Sequence, residues 1–138
     1  MKRRLGTIAG VVALGAAIAG CSSSPQELTT PDAHVVVNGQ GGDYQVQCFQ
    51  TGRQWTIETL EKTPGFTATV DTGDAITAEA VDIRNVAGFT GTYWLDNIGK
   101  AEAEVGQGKF TISGEGEGSF AEKPNHRVTA QFDITANC

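Results

Sequence analysis

The strongest constraint on the fold is a regular alternation of apolar and polar residues at the end of the 138-residue sequence. A repeat of two places the apolar side chains on one face of an extended strand, whereas a helix would need a repeat of about 3.6. Residues 127–138 are therefore predicted to form a long strand with one face on a core and the other in water. The apolar positions are Val128, Ala130, Phe132, Ile134, Ala136 and Cys138.

Shorter segments with the same alternation recur from His34 onward. They cover residues 44–48, 66–70 and 110–112, and residues 35–37, 55–57 and 76–83 complete the set with less regular patterns. Residues typical of turns separate them, at Asn38-Gly39 through Asp43, Thr51-Gly52, Pro64-Gly65, Thr72–Asp74, Gly106–Gly108 and Gly114–Gly118. Short, evenly spaced strands favour an all-β fold, and we predict an antiparallel β-sandwich or barrel-like domain over residues 34–138.

One segment, Arg53–Lys62, also has features compatible with a helix. Trp55, Ile57 and Thr59 alternate as a strand would, and Leu60 breaks the alternation. The strand is the better interpretation, and it leaves no helix in the predicted domain.

The start of the sequence has the three parts of a bacterial lipoprotein signal peptide. Lys2, Arg3 and Arg4 form a positive region, and Ile8–Ile18 is apolar but too short for the ~20 residues of a membrane-spanning helix. Ile18-Ala19-Gly20-Cys21 fits the lipobox, in which small residues precede a cysteine that receives a diacylglyceryl group. Residues 1–20 are therefore predicted to be removed and Cys21 to be lipidated. The alternative is an ordinary signal peptide that is cut elsewhere.

Removing residues 1–20 makes the protein more acidic. The whole sequence has 10 basic and 16 acidic residues, and the signal peptide takes three basic residues and no acidic one. The mature chain then has a net charge of −9, which argues against binding to nucleic acid or to anionic head groups. Acyl chains on Cys21 would thus be the membrane anchor, since two or more chains hold a protein stably.

A polar segment with two prolines links Cys21 to the predicted domain, and residues 21–33 are interpreted as the acylated cysteine and its tether. Thr29 and Thr30 precede Pro31 and could accept O-linked sugar. An unmodified linker is the alternative.

Two further cysteines, Cys48 and Cys138, lie on the apolar faces of their predicted strands. The exported compartment permits a disulfide between them. Two separate buried thiols are the alternative. A zinc site is disfavoured, because the sequence has no CxxC spacing and its two histidines lie far apart.

Motifs for catalysis or cofactor binding are missing from the sequence: it has no GxSxG, no P-loop and no HExxH. We therefore expect no enzyme activity, no cofactor and no metal. The large aromatic residues Trp55, Tyr93 and Trp94 could line a lipid pocket or could belong to the core. Tyr93 and Trp94 are adjacent, so one of them must leave the core face if the segment is extended.

Several short motifs occur in a fixed order along the sequence. They begin with the lipobox and end at the last residue. They are Val35–Gly39, Val46-Gln47-Cys48, Asn85–Gly88 before Thr92-Tyr93, Gly106-Gln107-Gly108, Phe110–Gly114 and Phe132–Cys138.

In this order the motifs resemble the mycobacterial 19 kDa lipoprotein antigen family. The resemblance implies a cell-envelope lipoprotein, anchored on the outer face of the cell membrane, whose acyl chains are sensed by host Toll-like receptor 2. It implies an acylated Cys21 and a Cys48–Cys138 pair. The long Thr/Ser-rich tether of the name-giving member is absent here. The sequence is compatible with two functions. The first is an anchored envelope lipoprotein without catalysis, and the second is a carrier that holds a lipid or glycolipid ligand between sheets.

Overall fold

The computed structural model describes residues 30–138, and in this part of the chain every regular element is a β-strand, as predicted. The prediction of an all-β antiparallel domain is confirmed. The first strand begins two residues before the predicted domain start at His34. The nine strands are β1 (Asp32–Val37), β2 (Gln40–Thr51), β3 (Gln54–Thr59), β4 (Gly65–Thr72), β5 (Ile76–Val86), β6 (Phe89–Trp94), β7 (Lys100–Gly106), β8 (Lys109–Phe120) and β9 (Val128–Asn137).

All neighbouring strands are antiparallel, and the sheet closes on itself as a barrel. The order runs β6-β5-β4-β3-β2-β1-β9-β8-β7, and β6 also pairs with β8. Thr92 is opposite Glu117 and Lys100 is opposite Glu115, so β6 and β7 follow one another along the same edge of β8. β6 and β7 together therefore occupy the place of a single strand, so the nine strands form an eight-stranded barrel. Of the two predicted architectures, the barrel is the one formed.

The antiparallel order divides the connections between two ends of the barrel. At one end, which we call the entry end, β1 begins, β9 finishes, and turns join β2 to β3, β4 to β5 and β7 to β8. At the other end, the far end, connections join β1 to β2, β3 to β4, β5 to β6 and β8 to β9. The chain therefore enters the barrel beside the place where it finishes.

Alternating side chains from every strand fill the interior. Phe66, Phe89, Phe110 and Phe132 are each at most 2% exposed, and aliphatic side chains pack between them. In β9 the predicted apolar face is buried from Ala130 to Ala136, while Cys138 lies exposed just beyond the strand. The alternation in the sequence thus corresponds directly to the inner and outer faces of the wall.

Two predicted turns differ from the structure. The first ends at Gly39 and not at Asp43, because β2 begins at Gln40, and the one at Gly114–Gly118 is wrong, because β8 runs through it without interruption. A Cβ atom on Gly114 would overlap the carbonyl oxygen of Lys100, and one on Gly118 would overlap that of Thr90. Glycine is needed here because β6 and β7 approach β8 closely, and not because the chain reverses.

Candidate functional site

The entry end is where the described structure meets the predicted lipid anchor. Asn137 donates from Nδ2 to Oδ1 of Asp32 over 3.0 Å, and the backbone N–H of Val46 donates to the carbonyl oxygen of Pro31 over 3.0 Å. Thr30 precedes them and is exposed. Cys21, Thr29 and the predicted signal peptide lie outside the described residues.

A disulfide joins Cys48 to Cys138 at this end. Their Cα atoms are 5.9 Å apart, and 90 positions separate them in the sequence. Cys48 belongs to β2 and Cys138 follows β9, and these are the two strands on either side of β1. The bond therefore connects the neighbours of β1 directly at the end where β1 begins.

The three aromatic residues proposed for a pocket lie in different environments. Trp55 is half-buried inside the barrel, with its ring centroid 5.4 Å from that of Phe110. Tyr93 is also inside and is 2% exposed, whereas Trp94 points outward and is 56% exposed. The structure does not bring the three rings into one pocket. Trp94 leaving the core face agrees with the alternation in the sequence.

The hydroxyl of Tyr93 donates to the carbonyl oxygen of Ala78 over 2.8 Å. Burial raises the pKa of Tyr93 above its ordinary value of 10.0, and the negative charge of Asp96 raises it further. The cause is that both effects disfavour the phenolate in the folded protein.

Alkaline pH should therefore weaken the fold through Tyr93. The phenol is neutral in both states below about pH 10, so its full contribution to stability is present there. Above that pH the unfolded chain loses the proton first, and the free energy of unfolding falls as pH rises through the higher folded-state pKa. Urea unfolding of wild type and Tyr93→Phe at several pH values checks this. A Tyr93→Phe variant that lost stability above pH 10 as steeply as wild type would contradict it.

Two grooves on the outer wall lie over different sets of strands. One, of about 400 Å³, crosses β4, β5 and β6 and is lined by Thr69, Ala80, Thr92 and Trp94 among others. Another, of about 440 Å³, lies over β7, β8 and β9 and includes Glu102, Glu115 and Asp133 in its lining. Sequence reasoning identified neither, because each depends on which strands are neighbours.

Among residues 30–138 there is no group of three or more His, Cys, Asp and Glu side chains placed to hold a metal ion. His34 instead contacts Asp43 across β1 and β2, with 2.8 Å between Nδ1 and Oδ1. In the same part of the chain, no helix has the length and apolar character needed to cross a membrane.

Comparisons with known proteins match this chain to one family model and to proteins named as lipoproteins. The family model described as "Mycobacterium 19 kDa lipoprotein antigen" matches residues 26–138. A protein named "Putative lipoprotein" from Mycobacterium indicus pranii is 34% identical over 134 residues, which is 94% of this chain and 95% of the relative. "Probable lipoprotein LppE" from Mycobacterium tuberculosis is 32% identical over 142 residues, an alignment that covers 100% of this chain and 100% of that protein. A "Putative lipoprotein" from Mycobacterium avium subsp. hominissuis is 31% identical over 140 residues, which is 100% of this chain and 97% of that protein.

Proposed function

Since this chain belongs to the Mycobacterium 19 kDa lipoprotein antigen family, we propose that it is a cell-envelope lipoprotein held on the outer face of the cell membrane by acyl chains on Cys21. The barrel has no catalytic role in this proposal. The acylated N-terminus is the part that host Toll-like receptor 2 senses, and the barrel is what the anchor displays.

One structural observation supports this function best. The chain enters the barrel at the end that the Cys48–Cys138 disulfide closes, and its C-terminus lies at the same end. A lipid attached upstream of Thr30 would therefore keep this end near the membrane and present the far end outward. This arrangement suits a displayed antigen, because the surface furthest from the membrane is formed by loops.

The test is a Cys21→Ala variant of the full-length chain in a mycobacterial host. We expect wild type to take up labelled fatty acid, to fractionate with membranes and to activate a Toll-like receptor 2 reporter cell. The variant should take up no label and should not activate the reporter cell, because alanine has no thiol to form the thioether, and it should be either released or left as the uncleaved precursor. Ser23→Ala is the matched control and should behave as wild type. Membrane-bound, labelled and stimulatory Cys21→Ala protein would disprove the proposed anchor.

The carrier alternative receives less support from the described residues. The two grooves described above are on the outer wall, and Trp55 and Tyr93 are packed in the interior among core side chains. Organic extraction of the purified lipoprotein separates the two functions. A carrier would release a second lipid besides the acyl chains of Cys21, and a displayed lipoprotein would release those chains only.

A further inference from the structure

The outer wall between β2 and β6 carries two parallel rows of side chains that we call the threonine strip. Each residue in a row is paired across the sheet with the next one. The upper row has an aromatic side chain at each end and small side chains between them. The lower row contains two threonines and three side chains with carbonyl or carboxylate oxygens that accept hydrogen bonds. The upper row is Phe49, Thr56, Thr69, Ala80 and Trp94, and the lower row is Gln47, Glu58, Thr67, Asp82 and Thr92.

The shape of the strip follows from these side chains. Trp94 is 56% exposed and Phe49 is 46% exposed, while the threonines and alanine between them are short. The groove of about 400 Å³ lies against Trp94, and a second groove of about 400 Å³ continues it along Glu58, Leu60 and Arg84, with Thr67 lining both. Four steps between strands make the strip ~19 Å long, since neighbouring strands are about 4.8 Å apart.

Trp94 is held in place by its own backbone. Its N–H donates to the carbonyl oxygen of Ile98 over 2.8 Å, and its carbonyl oxygen accepts from Ile98 N–H over 2.9 Å. The next residue, Leu95, donates to the carbonyl oxygen of Glu79 over 2.9 Å. An exposed ring on a fixed backbone can bind a ligand without first ordering the chain, which lowers the entropic cost of binding.

The lower row supplies polar groups beside the rings. Asp82 accepts from Thr92 Oγ1 over 3.2 Å and contacts Arg84 over 2.8 Å, and Gln47 donates to Glu58. Each carboxylate has about four lone-pair positions, so acceptor capacity is left for a ligand. The neighbouring threonine hydroxyls can both donate and accept.

We propose that the threonine strip binds a neutral oligosaccharide. A sugar ring has an apolar C–H face that stacks on an indole or phenyl ring and a rim of hydroxyls that donate to carboxylates and amides. The strip offers both kinds of partner in adjacent rows, and its length suits several linked rings. Glu58 and Asp82 can accept from sugar hydroxyls, and Lys62 and Arg84 balance their charge locally. The net negative charge of the whole protein disfavours sulfated or phosphorylated chains.

The test uses the full mature lipoprotein in detergent micelles. Binding of neutral tetrasaccharides of glucose, mannose, galactose and arabinose is measured by isothermal titration calorimetry for wild type and every variant, with sulfated and uronic-acid oligosaccharides as anionic comparisons. Tryptophan fluorescence is followed in wild type alone, because the Trp94 variants lack the reporting ring. We expect at least one neutral tetrasaccharide to bind and to perturb the emission of Trp94. Trp94→Ala should weaken binding about tenfold or more, equivalent to a loss of about 1.4 kcal/mol of contact free energy. Trp94→Phe should recover part of it.

Val105→Ala is the matched control, because Val105 is an exposed apolar side chain of β7 outside the strip. It should leave the affinity within about twofold, and circular dichroism should show that each variant is folded. The proposal is overturned if no neutral tetrasaccharide binds, if Trp94→Ala binds as well as wild type, or if anionic sugars bind equally. Binding to phosphatidylcholine vesicles that is lost in Trp94→Ala, without sugar binding, would instead identify a membrane contact.

Discussion

Replacing both Cys48 and Cys138 by alanine should lower the free energy of unfolding by about 4–5 kcal/mol. The bond closes a loop of 90 positions, and the chain-entropy model assigns a loop of this size a stabilisation of that order. Domains of this size are typically stable by only about 5–15 kcal/mol, so the variant should be close to unfolding at 37 °C. Urea unfolding of both proteins, with intact N-termini, measures the difference.

Two comparisons show whether the effect comes from the cross-link. Wild type treated with a reducing phosphine should unfold at nearly the same urea concentration as the double-alanine variant. Variants with one alanine should match the double variant, because either change breaks the bond. A double variant within about 1 kcal/mol of oxidised wild type would mean that the 90-position loop is already restricted in the unfolded chain.

Gly118→Ala should lower the free energy of unfolding by about 3 kcal/mol, at the upper end of what overpacking usually costs. The added Cβ would overlap the carbonyl oxygen of Thr90 and meet the Cα of Gly91. Both atoms belong to the backbone of β6, and no rotation of a side chain can make room. β6 must therefore move away from β8, at the pairing that closes the barrel.

Gly106→Ala provides the matched control, since a Cβ there would have no atom within 4 Å. That variant should be within about 1 kcal/mol of wild type, because a glycine in a compatible conformation tolerates alanine. Hydrogen exchange should show the loss of protection in Gly118→Ala first at β6 and the second half of β8. Uniform loss throughout the barrel, or no loss of stability, would contradict a local role in closure.

The strands were predictable because each depends on a local pattern. Alternation in 66–70 and in 127–138 marks the inner and outer faces without knowledge of the rest of the chain. Barrel closure was not predictable in this way, since the pairing of Thr92 with Glu117 joins segments whose own patterns do not specify a partner. The glycines of 114–118 misled the prediction because glycine serves both turns and close backbone approach.

The candidate sites divide in the same way. The Cys48–Cys138 disulfide was predictable because each cysteine falls on the apolar face of its own strand. The family match confirms the predicted resemblance. Trp94 and Phe49 lie in one row only because the registers of four successive strand pairs, from β2–β3 to β5–β6, combine to align them. One of these pairs contains a bulge, at which Thr69 pairs with Ala80 while Val70 pairs with Ala78. A slip of one residue there would turn Ala80 inward, so no single segment predicts the strip. Cys21 remains a sequence prediction.

The position of β1 has a mechanical consequence for a protein held by its N-terminus. A pull on the chain ahead of Thr30, against resistance at the far end, would act along β1 itself. β1 is paired with β2 through six residue pairs and with β9 through six more. The force would load these two ladders in shear, so that their hydrogen bonds resist together instead of opening one after another. The Cys48–Cys138 bond would also prevent the flanking strands from spreading as β1 is drawn. A pull through the anchor would thus meet both ladders of β1 in shear.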